Sequence, residues 1–214
     1  MTTVCIDLDG TLTDPQVGIT RCIQHALEQL GRDAPEPQDL TWCIGPPLQE
    51  SFQKLLGNAE DANRALSFYR ERFTKIGLYE NELYDGIPSA LTEMVSAGDQ
   101  LFVATRKPTI FAERIIQHFG LAQYFETVFG SELDGTRADK TELLAWIIEQ
   151  RALRPSDTIM IGDRRHDIIG ARNNSLRSIG VLYGYGSREE LTEAGADTLC
   201  AQPTELAALI ARMR

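Results

Sequence analysis

The chain has 214 residues, with 21 Lys and Arg against 31 Asp and Glu, a formal net charge of −10 and a mean hydropathy of −0.22. That acidity excludes bulk attraction to nucleic-acid polymers or anionic membranes, but not capture of a small phosphate by local cations and metal. With no apolar run of membrane-spanning length, no basic leader, and Cys5, Cys22, Cys43 and Cys200 lacking zinc-site spacing, the expectation is a cytoplasmic globular protein with reduced, buried thiols.

The first predicted element is a strand at residues 3–6, an apolar run that ends in Asp7-Leu8-Asp9-Gly10-Thr11. Two carboxylates one residue apart repel each other, and burying them requires a cation, a proton or strong hydrogen bonds. Mg2+ meets that need, because it takes oxygen ligands and leaves room for a substrate phosphate. Gly10 and Thr11 are expected to bring a close-approaching amide and a hydroxyl to phosphate oxygens. The plain alternative is a strand end followed by an ordinary Asp-Gly turn.

Residues 17–83 then show helical periodicity without a strand. Ile19, Ile23, Leu27 and Leu30 run to Gly31; Leu48, Phe52, Leu55 and Leu56 run to Gly57; Ala62, Leu66, Tyr69 and Phe73 follow. Such a block is too long for a crossover between strands. The expected organisation is a Rossmann-like core of residues 1–15 and 84–214, with an inserted helical cap of residues 16–83. A lid entering after the first strand would cover the carboxyl ends of the strands, where open α/β sheets bind ligands. Arg21, Gly45 and Arg70 are its candidate specificity contacts, against the usual role of helix arginines as solvated charges.

Further along, apolar runs alternate with helical stretches, the pattern of a doubly wound parallel sheet. Strands are predicted at residues 100–104, 127–129, 158–161 and 178–183, with a weaker edge strand at 197–200. Helices are predicted at 108–119, with Pro108 in the first turn, and at 140–150. Thr105 brings a hydroxyl to a strand end, or else caps the following helix, and Arg106 beside it is a candidate substrate contact. Lys140 offers an ammonium that neutralises phosphate and holds a carboxylate nucleophile, where the ordinary reading is a solvated charge. Gly162-Asp163 ends another strand with a metal-ligating carboxylate; Asp167 reads equally as a metal-site residue or as the N-cap of a helix starting at Ile168. His25, His118 and His166 have no partners at metal-binding spacing.

These motifs, Asp7 to Thr11, Thr105, Lys140 and Gly162-Asp163 through Asp167, resemble the haloacid dehalogenase-like hydrolase superfamily along essentially the whole chain. The helical insert is similar to that of its helical-cap subgroup. Asp14-Pro15, Gly18-Ile19-Thr20, Ile44 to Leu48, Tyr84-Asp85-Gly86 and Gly180 through Gly186 resemble the phosphoglycolate phosphatase and 5′-nucleotidase branch. The resemblance implies Mg2+-dependent hydrolysis of a small phosphorylated metabolite, phosphoglycolate phosphatase-like, with a 5′-nucleotidase acting on nucleoside monophosphates as the alternative. Asp7 would be the nucleophile that becomes an aspartyl-phosphate and Asp9 the acid and base. Thr105 and Lys140 would bind the phosphoryl group, and Asp7, Asp9 (through its carbonyl) and Asp163 would hold Mg2+. Asp9 argues against a dehalogenase, and Ile19 and Thr20, where a mutase has a histidine, argue against a sugar-phosphate mutase. A receiver domain would be shorter and without a lid; a silent scaffold would not keep every one of these side chains.

Overall fold

The computed structural model describes residues 2–214, and the chain divides into two compact units: residues up to Thr13 with Leu83–Arg214, and Asp14–Glu82. In the first unit, strand β1 (Thr3–Ile6) is buried at every residue, as both faces of a helix-covered parallel sheet require. The chain leaves and returns through two short strands, β2 (Thr13–Asp14) and β3 (Glu82–Leu83), which pair with each other.

The second unit is helical. Helices α1 (Gln16–Gln29), α2 (Leu48–Leu56) and α3 (Ala59–Lys75) bury Ile19, Cys22, Ile23, Ala26 and Leu27, then Phe52, then Ala62, Ala65, Tyr69 and Phe73. The Asn58 side chain caps α3 by accepting the Asp61 N–H at 2.8 Å. Phe52, Tyr69 and Phe73 form a ring cluster, with centroids 6.1 and 5.3 Å apart.

The first unit resumes with α4 (Ile87–Ser96), β4 (Gln100–Pro108), α5 (Thr109–His118), β5 (Thr127–Ser131), α6 (Lys140–Arg151), β6 (Thr158–Gly162), α7 (Arg165–Asn173), β7 (Arg177–Val181), α8 (Arg188–Ala194), β8 (Thr198–Cys200) and α9 (Leu206–Arg212). The six-stranded sheet has the order β5-β4-β1-β6-β7-β8, with every pairing parallel. From β1 the chain builds outward through β4 and β5, then returns across α6 to β6 on the other side of β1. This doubly wound arrangement has its topological switch at β1, where the crevice beyond the strand ends receives ligands.

Several details differ from the sequence-based expectation, among them the strand β3 inside the stretch 17–83 that read as strandless. Strand β4 continues past Ala104 to Pro108, with an irregular register, so Pro108 ends a strand instead of opening the next helix. Its ring removes an N–H, but its position beside Ser131 at the end of the pairing tolerates the loss. Thr105 is therefore not a helix cap. Strand β7 stops at Val181, because the following glycine-rich segment turns toward Asp163. All four cysteines are buried and free. Among the described residues, no helix is long and apolar enough to cross a membrane.

Candidate active site

The site is built at the carboxyl ends of β1, β4 and β6 and the start of α6. Residues 7–13 fold back tightly: the N–H groups of Leu12 and Thr13 both donate to the Leu8 carbonyl, at 2.9 and 3.0 Å. Gly10 sits at φ +82°, and a Cβ there would collide with the Asp163 carboxylate, so only glycine allows the turn and the close approach together. The Gly10 N–H donates to the Thr13 carbonyl at 2.8 Å and the Thr11 N–H to the Leu8 carbonyl at 3.3 Å. The Thr11 hydroxyl is fully buried and directed at Asp163 Oδ1 at 3.5 Å. Gly10 and Thr11 thus shape the turn that carries the two aspartates.

Lys140, the first residue of α6, reaches back beneath the strand ends. Its ammonium donates to Asp7 Oδ1 at 3.1 Å and to the Ala104 carbonyl at 2.7 Å. It also lies 2.7 Å from Asp167 Oδ1, as an ion pair without hydrogen-bond alignment. Asp167 is not an N-cap, because α7 starts at Arg165 rather than Ile168; its Oδ2 accepts the Arg164 N–H at 3.1 Å. Asp163 is fully buried, and its Oδ2 accepts the Tyr185 N–H at 2.8 Å. A Cβ at Gly184 would strike the Gly10 carbonyl and Asp163, so this segment packs its backbone directly onto the carboxylate. Thr105 is buried, and its hydroxyl accepts the Lys107 N–H at 3.2 Å.

Burial raises the pKa of Asp163 well above the ordinary carboxylate value, with Asp167 and Asp7 adding to it. Burial likewise raises Asp7, opposed by the Lys140 charge, and raises Asp9, opposed by Lys107. For Lys140, burial pulls downward, but Asp167 and Asp7 outweigh it and the net shift is upward.

Oxygens of Asp7, Asp163 and Asp167 lie within 4.8 Å of one another, a cluster able to hold a metal ion. The carboxyl groups of Asp7, Asp9, Asp163 and Asp167 outnumber the two ammonium groups beside them, Lys107 and Lys140. An all-oxygen donor set with more carboxyl groups than ammonium groups fits a hard divalent cation such as Mg2+.

Two contributors escaped the sequence reading. Lys107 places its ammonium 2.6 Å from Asp9 Oδ2, with only 6% of its side chain exposed. It stands two residues after Thr105, the strand spacing that returns a side chain to one face, but the charge alone suggested solvent. Tyr185 contributes a backbone N–H to Asp163, which no residue pattern reveals. Among the other candidates, Arg106 donates through Nε to the Ala138 carbonyl at 2.7 Å, while its buried Nη1 has no hydrogen-bond partner. Arg21, Gly45 and Arg70 belong to the second unit, where Arg21 pairs with Glu80 at 3.0 Å and Gly45 lies at φ +100°.

The chain is similar to known proteins along most of its length. A 5′-nucleotidase of Pseudomonas aeruginosa is 47% identical over 207 residues, covering 96% of this chain and 92% of its own. The tyrosine-protein kinase PtkA of Mycobacterium tuberculosis is 39% identical over 183 residues, which are 86% of this chain and 62% of PtkA. A phosphoglycolate phosphatase of Vibrio parahaemolyticus is 26% identical over 217 residues, covering 97% of this chain and 95% of its own. Residues 4–181 match the haloacid dehalogenase-like hydrolase family, so this chain belongs to that family, with the strand-end chemistry of a phosphoric monoester hydrolase.

Proposed function

We propose that the protein is a cytoplasmic, Mg2+-dependent phosphatase of small-molecule phosphate monoesters, working through an aspartyl-phosphate. The observation that carries this reading is a buried cluster of three carboxyl groups able to hold a metal ion, in which a lysine already holds Asp7 in place. Asp7 is the nucleophile: it bonds to phosphorus as the ester oxygen leaves, which splits one difficult displacement into two easier ones. Asp9 gives the leaving oxygen its proton, then takes one from the water that attacks the phospho-aspartate. The Thr105 hydroxyl and Lys140 ammonium hold phosphoryl oxygens, where position and charge supply most of the catalysis. Asp7 and Asp163, with the Asp9 carbonyl and Asp167 beside them, would hold Mg2+, which supplies charge to offset repulsion between nucleophile and phosphate.

Choice of leaving group is assigned to the helical second unit, with Arg21 and Gly45 as its proposed contacts, and to Arg106 in the first. The unpartnered Nη1 of Arg106 supports a role in binding a substrate oxygen. Nucleoside monophosphates rank ahead of phosphoglycolate as substrates, because the 5′-nucleotidase relative is 47% identical and the phosphoglycolate phosphatase 26%. The test is a panel of metabolite phosphates ranked by kcat/KM in Mg2+, beside Asp7→Asn and a chelated control. Nitrophenyl phosphate turnover is expected to fall by ~10⁴-fold or more in Asp7→Asn with the fold intact. Retained turnover would reject the nucleophile, and a preference for phosphoglycolate would reverse the substrate ranking. Adding ATP and a tyrosine peptide separates hydrolysis from transfer, since only hydrolysis ends in inorganic phosphate.

A further inference from the structure

Building on the phosphatase reading, we propose that Lys107 is the positioning residue of the proton-transfer step. By holding Asp9 through Oδ2, it leaves Oδ1 as the oxygen that exchanges the proton. The two oxygens of Asp9 are not equivalent here. Oδ2 accepts a hydrogen bond from the Lys107 ammonium at 2.6 Å, whereas Oδ1 is buried and has no hydrogen-bond partner. A buried carboxylate oxygen without a partner is costly, and a ligand group that donates to it or accepts its proton relieves that cost.

The support behind the lysine is stiff. Lys107 lies on β4, its N–H donates to the Thr105 hydroxyl, and its side chain is buried. The Gly10 turn carries Asp9 from the other side, with the Gly10 N–H fixed to the Thr13 carbonyl. An untethered carboxylate would rotate about its terminal torsion, which is broad, and would present either oxygen. Proton transfer needs heavy atoms ~2.6–3.2 Å apart, so this freedom would reduce the productive fraction.

The chemistry balances. In the first half-reaction the proton on Asp9 Oδ1 moves to the ester oxygen as its bond to phosphorus breaks and the bond from Asp7 forms. In the second, a water oxygen bonds to phosphorus, the Asp7–phosphorus bond breaks, and Oδ1 takes a proton from the water. The sum is ester plus water to alcohol plus phosphate.

The experiment measures kcat/KM across nitrophenyl, phenyl and alkyl phosphates for wild type, Lys107→Met, Lys107→Arg, Asp9→Asn and the double variant Asp9→Asn with Lys107→Met. A good leaving group needs little help from an acid. The Met variant is therefore expected to lose ~10²-fold on phenyl and alkyl phosphates and under ~10-fold on nitrophenyl phosphate. The Arg variant, which retains a cation, should recover most of the loss. In the Asp9→Asn background the Met substitution should add no further leaving-group dependence, because both changes remove one device. A uniform loss across the series, or losses that multiply in the double variant, would overturn the inference and leave Lys107 a structural countercharge. Should the Met variant not fold, Lys107→Gln carries the same comparison. Wild type inactive on every phosphate would instead sink the phosphatase reading, and this inference with it; wild type active with a uniform Met profile sinks the inference alone.

Discussion

Two ion pairs of equal length divide the molecule's electrostatics. In the second unit Lys75 lies 3.1 Å from Glu71, with side chains 67% and 61% exposed. In the first, Lys140 lies 3.1 Å from Asp7, with side chains 2% and 10% exposed. Distance says nothing of the difference; solvent does. Around the helices, Lys75–Glu71 and the Arg32–Asp61–Arg64 group sit where water screens them. At the strand ends the charges are shut away from water, and burial is the leading influence on Asp163, ahead of its neighbours Asp167, Asp7 and Arg164. A chain keeps an arrangement this costly where the charge has chemistry to perform.

The sharpest way to break the comparison is to remove the buried lysine. Lys140→Met leaves Asp7, Asp163 and Asp167 clustered without their shared cation. Loss of one partner of a buried pair typically costs ~3–5 kcal/mol. Denaturant unfolding of metal-free wild type and variant near neutral pH measures it. A cost below 1 kcal/mol, estimated as ~0–1 for surface pairs, would mean that water already screens the strand ends and that the contrast between the units is illusory.

The next test uses pH and Mg2+ together. The folded pKa values of Asp163 and Asp7 stand above the ordinary carboxylate value, burial being the leading cause in both. The unfolded chain therefore loses these protons first as pH rises from about 4, and the bare protein loses stability through that range until the folded groups have also ionised. The penalty is full only once the folded groups have ionised. Mg2+ binds the ionised cluster, so at one hundred times its Kd it should add ~2.7 kcal/mol near neutrality, a gain that shrinks on acidification. Melting curves with Mg2+ and with chelator, at about pH 5 and about pH 7.5, read both effects. An equal Mg2+ gain at the two pH values, or none at either, would detach the metal from these carboxylates.

Legibility in the sequence followed the same division. The strands were readable because a parallel sheet buried on both faces imposes continuous apolar runs, as at Val4, Cys5 and Ile6 or Ile159, Met160 and Ile161. The second unit's helices were readable because Ile19, Ile23 and Leu27 repeat at the helical period and Gly57 ends α2 at φ +76°. Asp7 and Asp163 could be singled out because carboxylates at strand ends need a reason to be there; Lys140, at the start of α6, read alone as a solvated charge, and the fold brings all three together. Lys107 was missed because a lysine between Arg106 and Pro108 reads as solvent-facing, and its partner lies 98 residues away. The 183–186 segment acts through a backbone N–H and through absent side chains, neither of which a residue type declares. The turn-shaping part played by Gly10 and Thr11 was not legible, because amides and hydroxyls at a turn read as free until the turn's own hydrogen bonds are known.

The smallest expected effect completes the contrast. Glu71 precedes Lys75 by four residues on α3, the favoured order for a helix pair, yet both side chains lie mostly in water. Their Coulomb gain is set against the entropy of two long side chains, and salt screens what is left. Lys75→Ala should shift stability by no more than ~0.5 kcal/mol, part of it from alanine's better helix propensity, and the shift should shrink further in high salt. The same denaturant experiment used for Lys140→Met measures it. A loss comparable to that of the buried lysine would mean that this pair is held rigidly and that exposure is a poor guide to charge energetics in the helical unit. A loss near zero fixes the scale: two ammonium–carboxylate contacts of one length would differ roughly tenfold in what their removal costs, and burial would account for the difference.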